Sequence, residues 1–179
     1  MKKKVLNRAC ALAVLVLAAP AITAQSADFE IKDGVPVKYR GNAAEVVVPE
    51  GITAIGKEAF EGNKTLTSVT LPAGLTAIEE DAFYYCTSLA SVTIPDSVTV
   101  IQAYTFYGCG NLAEVMLPDG LTAIKMYAFY ECAGPAKITI PSSIQEVGYG
   151  AFYGCDSLSP TVVDEIQRKF GHLPFAVGR

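Results

Sequence analysis

The chain has 179 residues, 51% of them hydrophobic, with 14 basic and 18 acidic residues and a formal net charge of −4. A net negative charge argues against nucleic acids and anionic membranes as partners, because both are bound through positive patches. The length is sufficient for one domain with a substantial core.

The N-terminal segment has the pattern of a secretory signal peptide. Four basic residues precede an apolar run from Ala9 to Ala19, and Pro20 with small residues follows. The run is shorter than the roughly 20 residues of a membrane-spanning helix, and no later segment is long enough either. We expect cleavage after Ala24, with Ala21 as the competing site, rather than an uncleaved anchor. Residues 1–24 contain four of the 14 basic and none of the 18 acidic residues, so the exported form would carry a charge of −8.

Residues 25–45 are predicted to form a small β cap in front of the repeat region. Apolar residues alternate with others on both sides of Asp33-Gly34, which favours a hairpin turn. The alternating residues are Phe29, Ile31, Val35, Val37 and Tyr39. An atypical end of this kind would close the first layer of a stacked structure.

From residue 46 the chain repeats itself every 23 residues. Five rows follow one another without insertion or deletion and share the pattern [VI]-x-[VLI]-P-x-[GS]-[IVL]-x-x-[IV]-x-x-x-[AT]-F. The rows start at Val46, Val69, Val92, Val115 and Ile138, and their phenylalanines are Phe60, Phe83, Phe106, Phe129 and Phe152. A fixed period in the twenties predicts a solenoid in which every row adds one layer to a continuous core.

Each row predicts one coil made of a strand, a corner and a turn. In Val69-Thr70-Leu71 two apolar residues flank a polar one, which is the alternation of a strand with one buried face. The proline that follows cannot donate to a sheet and ends the strand. The [AT]-F step predicts a short helical or 3₁₀ turn on the opposite wall. Strands about 4.8 Å apart would give a rod roughly 25 Å long.

Residues 161–179 are predicted to cap the last coil as a helix with a tail. Ser159 is a good N-cap, Pro160 suits the first helical position, and Gly171 ends the helix. The apolar face expected to lie over the last coil consists of Val162, Val163, Ile166 and Phe170.

The repeat, written as L-x-x-V-x-[LI]-P-x-x-[VIL]-x-x-I-x-x-x-[AT]-F-x-x-C, closely resembles the BspA-like, treponemal-type leucine-rich repeat, and residues 46–160 carry it. The expected fold is therefore an α/β repeat solenoid of five 23-residue coils. It would combine parallel short strands and 3₁₀ or short helical turns with a β-hairpin N-cap and an α-helical C-cap. In the fourth row Pro135 replaces the expected leucine, and we expect a local distortion there.

A cysteine stands three residues after the phenylalanine in four of the five rows. This column comprises Cys86, Cys109, Cys132 and Cys155, and Asn63 takes its place in the first row. Adjacent coils would bring the Cα atoms within bonding range, so disulfides are one interpretation for an exported protein. Parallel side chains point the same way, which favours a packed column of free thiols and disfavours zinc.

A tyrosine directly follows the phenylalanine in four rows. The column is Tyr84, Tyr107, Tyr130 and Tyr153, with Tyr85, Tyr104, Tyr127 and Tyr149 nearby and Glu61 in the first row. Tyrosine is enriched where proteins recognise other proteins or sugars, so the column is a candidate binding surface. The alternative is that the rings stack on one another and serve stability alone.

The outward positions of the strands form a second candidate surface. They are Val47, Thr70, Thr93, Met116 and Thr139. The strand face is often the recognition surface of leucine-rich repeats, so the resemblance keeps Thr70, Thr93, Met116 and Thr139 as candidate binding residues. Their chemistry is small, polar and weakly charged.

Catalytic patterns are not found in the sequence. The only histidine, His172, follows the predicted capping helix, and no glycine-rich loop joins a strand to a helix. The acidic run Glu79-Glu80-Asp81 lacks the alternating ligands of a calcium loop and indicates a solvated corner. We therefore expect neither an enzyme nor a cofactor or metal site.

These patterns predict an exported, non-enzymatic protein that presents a rigid surface to a protein partner. The resemblance implies a bacterial protein of the periplasm, the cell surface or the medium. Some relatives resemble adhesins that bind matrix or plasma proteins such as fibronectin, or that mediate contact between cells. The alternative is a passive structural or envelope module without a dedicated ligand. The ligand, the binding face and the oligomeric state stay open at this point.

Overall fold

The computed structural model describes residues 28–32, 35–132 and 136–176. Three predictions concern segments outside the described residues: the signal peptide at 1–24, the turn at Asp33-Gly34 and the distortion at Pro135.

The described ranges contain twelve strands, one α-helix and one short 3₁₀ helix. The strands are β1 Phe29–Lys32, β2 Val35–Tyr39, β3 Glu45–Val47, β4 Ala54–Ile55, β5 Ser68–Thr70, β6 Ala77–Ile78, β7 Ser91–Thr93, β8 Val100–Ile101, β9 Glu114–Met116, β10 Ala123–Ile124, β11 Lys137–Ile138 and β12 Glu146–Val147. The helix α1 spans Pro160–Phe170, and the 3₁₀ helix spans Leu173–Phe175.

The first strand of every row joins one parallel sheet, as the repeat predicted. The order β11-β9-β7-β5-β3 follows the chain, so each strand pairs with the strands of the neighbouring rows. Val69 lies opposite Val46 on one side and Val92 on the other, which means that equivalent residues of consecutive rows are in register. The solenoid inferred from the 23-residue period is therefore confirmed.

A second set of parallel strands runs along another wall and was not predicted. These strands have two residues each and pair as β4-β6 and as β12-β10-β8. Ala54 pairs with Ala77, and Ala123 pairs with Val100, again one row apart. A two-residue strand is too short to show alternation, which is why its sequence carries no strand signal.

The [AT]-F step lies in consecutive hydrogen-bonded turns. Ala59 N–H donates to Gly56 O at 3.2 Å, and Glu61 N–H donates to Glu58 O at 3.1 Å, both with the three-residue spacing of β-turns, and the left-handed φ of Glu58 distinguishes them from the expected 3₁₀ or helical turn. Phe60 N–H instead donates to Ala82 O of the next coil at 2.8 Å. The turns therefore fold each coil and also bind it to its neighbour.

The centre of the solenoid is filled by the repeated phenylalanines. Their ring centroids are 4.9 to 5.5 Å apart and their planes lie within 11° of parallel. All five are almost completely buried, namely Phe60, Phe83, Phe106, Phe129 and Phe152. One layer leaves two ring faces uncovered, so a row gains most of its hydrophobic stabilisation from its neighbours.

An antiparallel hairpin closes the N-terminal end. Strands β1 and β2 pair with each other, and the rings of Phe29 and Tyr39 pack on Phe60 at 5.8 and 5.2 Å. The expected alternation fails at Ile31, which is 44% exposed. The pairing register shifts between Glu30 and Ile31, and such a shift turns the following side chains away from the core face.

The helix α1 closes the C-terminal end. The Ser159 hydroxyl accepts a hydrogen bond from Val162 N–H at 3.3 Å, Pro160 begins the helix, and Gly171 ends it with a φ of 74°. Ile166 is fully buried, and the rest of the predicted apolar face, Val162, Val163 and Phe170, packs against the core. Among the described helices, none combines the length and apolar composition that crossing a bilayer requires.

The segment after α1 takes the place of a further coil. Gly150 N–H donates to Leu173 O at 2.9 Å, and Phe152 N–H donates to Pro174 O at 2.8 Å. Phe175 follows Phe152 by 23 residues and its ring centroid lies 6.3 Å from that of Phe152. The tail therefore satisfies backbone donors that the last full coil would otherwise leave unpaired.

Candidate interaction surface

The wall that carries the tyrosines is held together by backbone hydrogen bonds along the axis. Tyr104 N–H donates to Met126 O at 3.1 Å, and Tyr127 N–H donates to Tyr149 O at 3.0 Å. Tyr104 and Tyr127 occupy the same position in consecutive rows. A second donor position lies four residues further along each row, and there Tyr85 N–H donates to Tyr107 O at 2.7 Å. These N–H groups point to the neighbouring coil instead of into their own turn.

The two donor positions have positive φ in every row, between 51° and 73°. The first column is Glu58, Asp81, Tyr104, Tyr127 and Gly150, and the second is Gly62, Tyr85, Gly108, Glu131 and Gly154. Glycine adopts this left-handed conformation freely, whereas other residues lose about 1–2 kcal/mol each. Only glycine, tyrosine and acidic residues occupy these ten positions, and the three tyrosines and the three acidic residues are strained there.

Four tyrosines form a ladder along this wall: Tyr84, Tyr107, Tyr130 and Tyr153. Consecutive ring centroids are 5.0, 4.6 and 4.9 Å apart, and the planes are 23°, 5° and 22° from parallel. All four are half-buried. Because neighbouring rings cover one another's faces, the ladder presents mainly ring edges and hydroxyls to solvent.

Four flanking tyrosines lie beside the ladder and are turned relative to it. Tyr85 is 81° from the plane of Tyr84, and Tyr127 is 83° from Tyr130 and 88° from Tyr149. Tyr104 joins them through ring contacts at 5.9 Å to Tyr107 and 5.3 Å to Tyr127. We call the ladder together with Tyr85, Tyr104, Tyr127 and Tyr149 the tyrosine surface.

Two glycines make room for the flanking rings. A Cβ atom on Gly108 would lie 2.8 Å from the Tyr85 ring, and one on Gly150 would lie 2.5 Å from the Tyr127 ring. Tyr85 nevertheless remains 40% exposed. Each of these rings therefore rests on the backbone of the next coil and leaves the rest of its surface accessible.

Carboxylates surround the tyrosine surface. Burial is the main cause that raises the pKa of Tyr107 to about 12, with further contributions from the nearby Tyr85, Tyr130 and Glu131. Burial also comes first in raising the pKa of Tyr84 and Tyr104, and Asp81 adds to both. Tyr84, Tyr104 and Tyr107 consequently keep their phenolic protons throughout the neutral range.

The strand-face candidates lie on a different wall. Thr70 and Thr93 are exposed on β5 and β7, and Met116 on β9 is 57% exposed. Thr139 is exposed but follows the last residue of β11. Among the residues that the structure describes, no ring contact or hydrogen bond joins this set to the tyrosines, so the two predicted surfaces are separate.

The four repeat cysteines are buried, and all four are free thiols. Each Sγ donates to the carbonyl oxygen of a phenylalanine 26 residues earlier, at 3.1 to 3.2 Å, as Cys109 does to Phe83. In the first row Asn63 Oδ1 instead accepts from the N–H groups of Thr65 and Leu66 at 3.0 Å each. In four rows the side chain of this column therefore bonds to the preceding coil, and in the first row it bonds to its own turn.

Burial of the thiols has consequences for reactivity and for alkaline stability. Burial raises the pKa of Cys86 and of Cys155 to about 12. A group whose folded pKa is raised contributes stability below its unfolded pKa, about 8.5 for cysteine, and loses it as the pH rises toward the folded value. We expect the free energy of unfolding to fall above about pH 8.5, by about 1.4 kcal/mol per pH unit for each thiol.

Thiol labelling and denaturation at alkaline pH test this expectation. In protein lacking residues 1–24, a thiol reagent should label no cysteine in the native state and four after unfolding in guanidinium. Cys109→Ala should be less stable at neutral pH but show a shallower loss of stability above about pH 8.5. Two labelled cysteines after unfolding without a reductant would instead indicate a disulfide.

The described residues offer no recognisable catalytic or metal site. One groove is lined by Glu79, Glu80, Gln102, Lys125, Glu146 and Tyr149 together with Ala103, Met126 and Gly148, none of which is an activated nucleophile. Lys125 in this groove pairs with Glu146 at 2.7 Å. No group of histidine, cysteine and acidic residues within the described ranges is arranged to hold a metal ion.

The coils, the parallel strands and the stacked phenylalanines define the class as a leucine-rich repeat solenoid. The model of the BspA type leucine-rich repeat region, in six copies, matches residues 38–159. The chain therefore belongs to the BspA-type leucine-rich repeat family, and this membership indicates a scaffold for protein interaction.

Solved structures support the same fold. A leucine-rich repeat protein from Bacteroides ovatus is 33% identical with a TM-score of 0.66, over 73% of this chain and 37% of that one. A leucine rich cell surface protein from Faecalibacterium prausnitzii is 26% identical with a TM-score of 0.50, over 73% and 51%. The T. pallidum leucine-rich repeat protein, 21% identical with a TM-score of 0.55 over 83% and 96%, is similar in fold alone. No curated protein matches the chain.

Proposed function

We propose that this protein is an exported, non-enzymatic module that binds a protein partner through the tyrosine surface. The observation that carries the proposal is the presence of Tyr85, Tyr104 and Tyr127 at left-handed backbone positions where other rows have glycine or an acidic residue. Glycine would remove the strain, so the rings provide something that the backbone alone does not need. Accessible aromatic clusters of this kind are typical of recognition surfaces.

Adhesion to host matrix or plasma proteins, or to other cells, is the role that we propose for this surface. The Faecalibacterium prausnitzii protein, which shares the fold, is described as a cell surface protein. The basic and apolar pattern of residues 1–24 supports export. Cell fractionation tests the location: the protein should appear at the surface or in the medium, and confinement to the cytoplasm would contradict export.

A second candidate is a structural or envelope module without a dedicated ligand. The ladder favours it, because rings stacked 4.6 to 5.0 Å apart stabilise one another whether or not a partner binds. Favourable aromatic pairs contribute about 0.5–1.5 kcal/mol each beyond burial. The two candidates differ in what happens when the flanking tyrosines are removed.

A binding measurement with defined probes separates the two candidates. Immobilised residues 25–179 would be exposed to purified fibronectin and to plasma, and retained protein would be measured by interferometry. The double variant Tyr104→Gly, Tyr127→Gly should lose binding while it keeps its thermal unfolding temperature within a few degrees. Absence of binding by the unmodified protein at micromolar concentration would support the structural module.

The strand face receives its own variant in the same experiment. Thr70→Ala with Thr93→Ala changes two exposed threonines on the other wall. If the tyrosine surface binds the partner, this variant should bind as the unmodified protein does. Loss of binding in this variant alone would assign the site to the strand face.

A further inference from the structure

We infer that the tyrosine surface recognises a lysine- or arginine-rich segment of its partner. This inference rests on the proposed function and specifies the chemistry of the partner. It follows from the carboxylates beside the tyrosines, from the pairing of Lys57 and Lys38 with other carboxylates, and from the tyrosine hydroxyls, which bond to no group of the described residues.

The side chains at the two strained columns are only phenolic or acidic. Where these positions do not hold glycine, they hold Tyr85, Tyr104 and Tyr127 or the carboxylates of Glu58, Asp81 and Glu131. Glu61 also occupies the ladder column in the first row. A surface that combines aromatic rings with carboxylates is complementary to cationic side chains.

Two lysines of the first coils, Lys57 and Lys38, are paired with carboxylates. Lys57 Nζ lies 3.1 Å from Glu80, 3.5 Å from Asp81 and 4.0 Å from Glu58. Lys38 Nζ lies 3.8 Å from Glu61. Lys57 faces three carboxylates with one positive charge, so this end of the wall keeps a negative excess.

Glu131 is an acidic residue on the same wall as the ladder. It directly follows Tyr130, and its N–H donates to Tyr153 O at 2.7 Å, which fixes its position on the wall. The side chain is exposed, and no lysine or arginine of the described residues forms an ion pair with it. Its negative charge adds to the causes that raise the pKa of Tyr107 and of Tyr130, in both cases after burial. A cation of the partner would find here a carboxylate without a competitor.

The tyrosines themselves offer suitable contacts. Within the described part of the chain, no group forms a hydrogen bond with the hydroxyl of any tyrosine of this surface. Tyr85 is turned by 81° from Tyr84 and Tyr127 by 83° from Tyr130, so these two rings present surfaces that the ladder rings do not, whereas Tyr104 is tilted by 42° from Tyr107. A guanidinium or ammonium group is attracted to a ring face, and a partner backbone could bond to the free hydroxyls.

Anionic partners fit this surface poorly. A phosphate-rich or sulfate-rich chain would meet the carboxylates of this wall, and like charges in contact repel one another. A neutral sugar could stack on the tyrosines and donate hydroxyl hydrogen bonds to Glu131, but it would leave the negative charge of this wall uncompensated. The peptide is therefore the occupant that uses both features of the surface.

Fluorescence anisotropy with three labelled peptides tests the inference. The probes are repeats of Gly-Arg, Gly-Ser and Gly-Glu of equal length, measured with residues 25–179 at low and at physiological ionic strength. We expect binding of the Gly-Arg peptide only, with an affinity that falls as salt is added. Equal binding of the Gly-Ser peptide, or stronger binding of a neutral oligosaccharide in a parallel titration, would overturn the inference.

Variants connect the binding to this surface. Glu131→Gln should weaken binding of the Gly-Arg peptide roughly threefold, and Asp119→Asn is its matched control because Asp119 is an exposed acid in the turn after β9. Tyr104→Gly with Tyr127→Gly should weaken it about tenfold. Asparagine at both positions, which also tolerates positive φ, checks that the loss is due to the rings. Unchanged binding in both the glutamine and the glycine variants would refute the site.

The peptide experiment and the fibronectin and plasma experiment can fail independently, so rejection of the cationic partner is distinguishable from rejection of the proposed function. If the tyrosine variants lose fibronectin or plasma binding but no Gly-Arg peptide binds, the tyrosine surface stands as the interaction site and the cationic partner is rejected. If the peptide binds and no protein partner is retained, the chemistry stands and adhesion to these proteins is rejected.

Discussion

Replacing Phe106 by alanine should lower the free energy of unfolding by about 3–5 kcal/mol. The side chain is fully buried, and its ring lies 5.4 Å from Phe83 and 5.3 Å from Phe129 by centroid. Its removal leaves a cavity in the middle of the stack that the flanking layers cannot fill without shifting their strands. Guanidinium unfolding followed by circular dichroism measures the change.

Two further variants define what the phenylalanine contributes. Phe106→Leu keeps most of the volume and should cost clearly less, about 1–2 kcal/mol. Thr93→Ala lies on an exposed strand position and should change stability by no more than about 0.5 kcal/mol. A loss below about 1 kcal/mol for Phe106→Ala would contradict a densely filled central stack.

Removal of residues 160–179 should cost on the order of 5 kcal/mol, a large part of the total stability of a domain of this size. The deletion exposes the surface covered by Ile166 and by the 3₁₀ helix Leu173–Phe175, and it leaves Gly150 N–H and Phe152 N–H without their acceptors. Scanning calorimetry should show a much lower unfolding temperature, together with aggregation through the open end.

Point variants in the same segment separate the cap from chain length. Ile166→Ala should lower stability by about 2–4 kcal/mol because the side chain is fully buried. Thr161→Ala, at an exposed position of α1, should be close to neutral. A truncated protein as stable as the full chain would mean that the last coil needs no cap.

The repeated part of the fold was predictable because every row has the same residue types at the same positions. Valine at the first strand position, proline at its end and phenylalanine at the turn recur at a constant interval, so the same side chain must meet itself in the next layer. The cap helix was predictable for a different reason. Its signals are local, with Ser159, Pro160 and Gly171 at the positions that helix ends require.

Other parts of the fold depend on contacts with neighbouring coils, and the sequence of a single row predicts them poorly. The two-residue strands exist because Ala77 meets Ala54 across the layer, and nothing within one row marks them. The role of the tail could have been predicted from Phe175, because it follows Phe152 by the same 23 residues that separate the repeated phenylalanines. The exposure of Ile31 arises from a register shift that alternation cannot reveal.

The tyrosines could be assigned to one column from the sequence, but their backbone could not. Positive φ at Tyr85, Tyr104 and Tyr127 results from hydrogen bonds to the next coil, and tyrosine itself gives no reason to expect it. A signal does exist in the same columns, because Gly62, Gly108, Gly150 and Gly154 stand at equivalent positions of other rows. Comparing rows for glycine would therefore find the strained positions.

Deleting residues 92–114 tests the central claim that one 23-residue row is one layer. The deletion joins Ser91 to Val115, which takes the place of Val92, so Phe83 should stack on Phe129 in a shorter solenoid. We expect cooperative unfolding in guanidinium and an unchanged strand signal in circular dichroism. Deleting residues 92–103 instead puts the following coils out of register and should abolish cooperative folding. Equal behaviour of the two deletions, whether both fold or both fail, would contradict the layered structure.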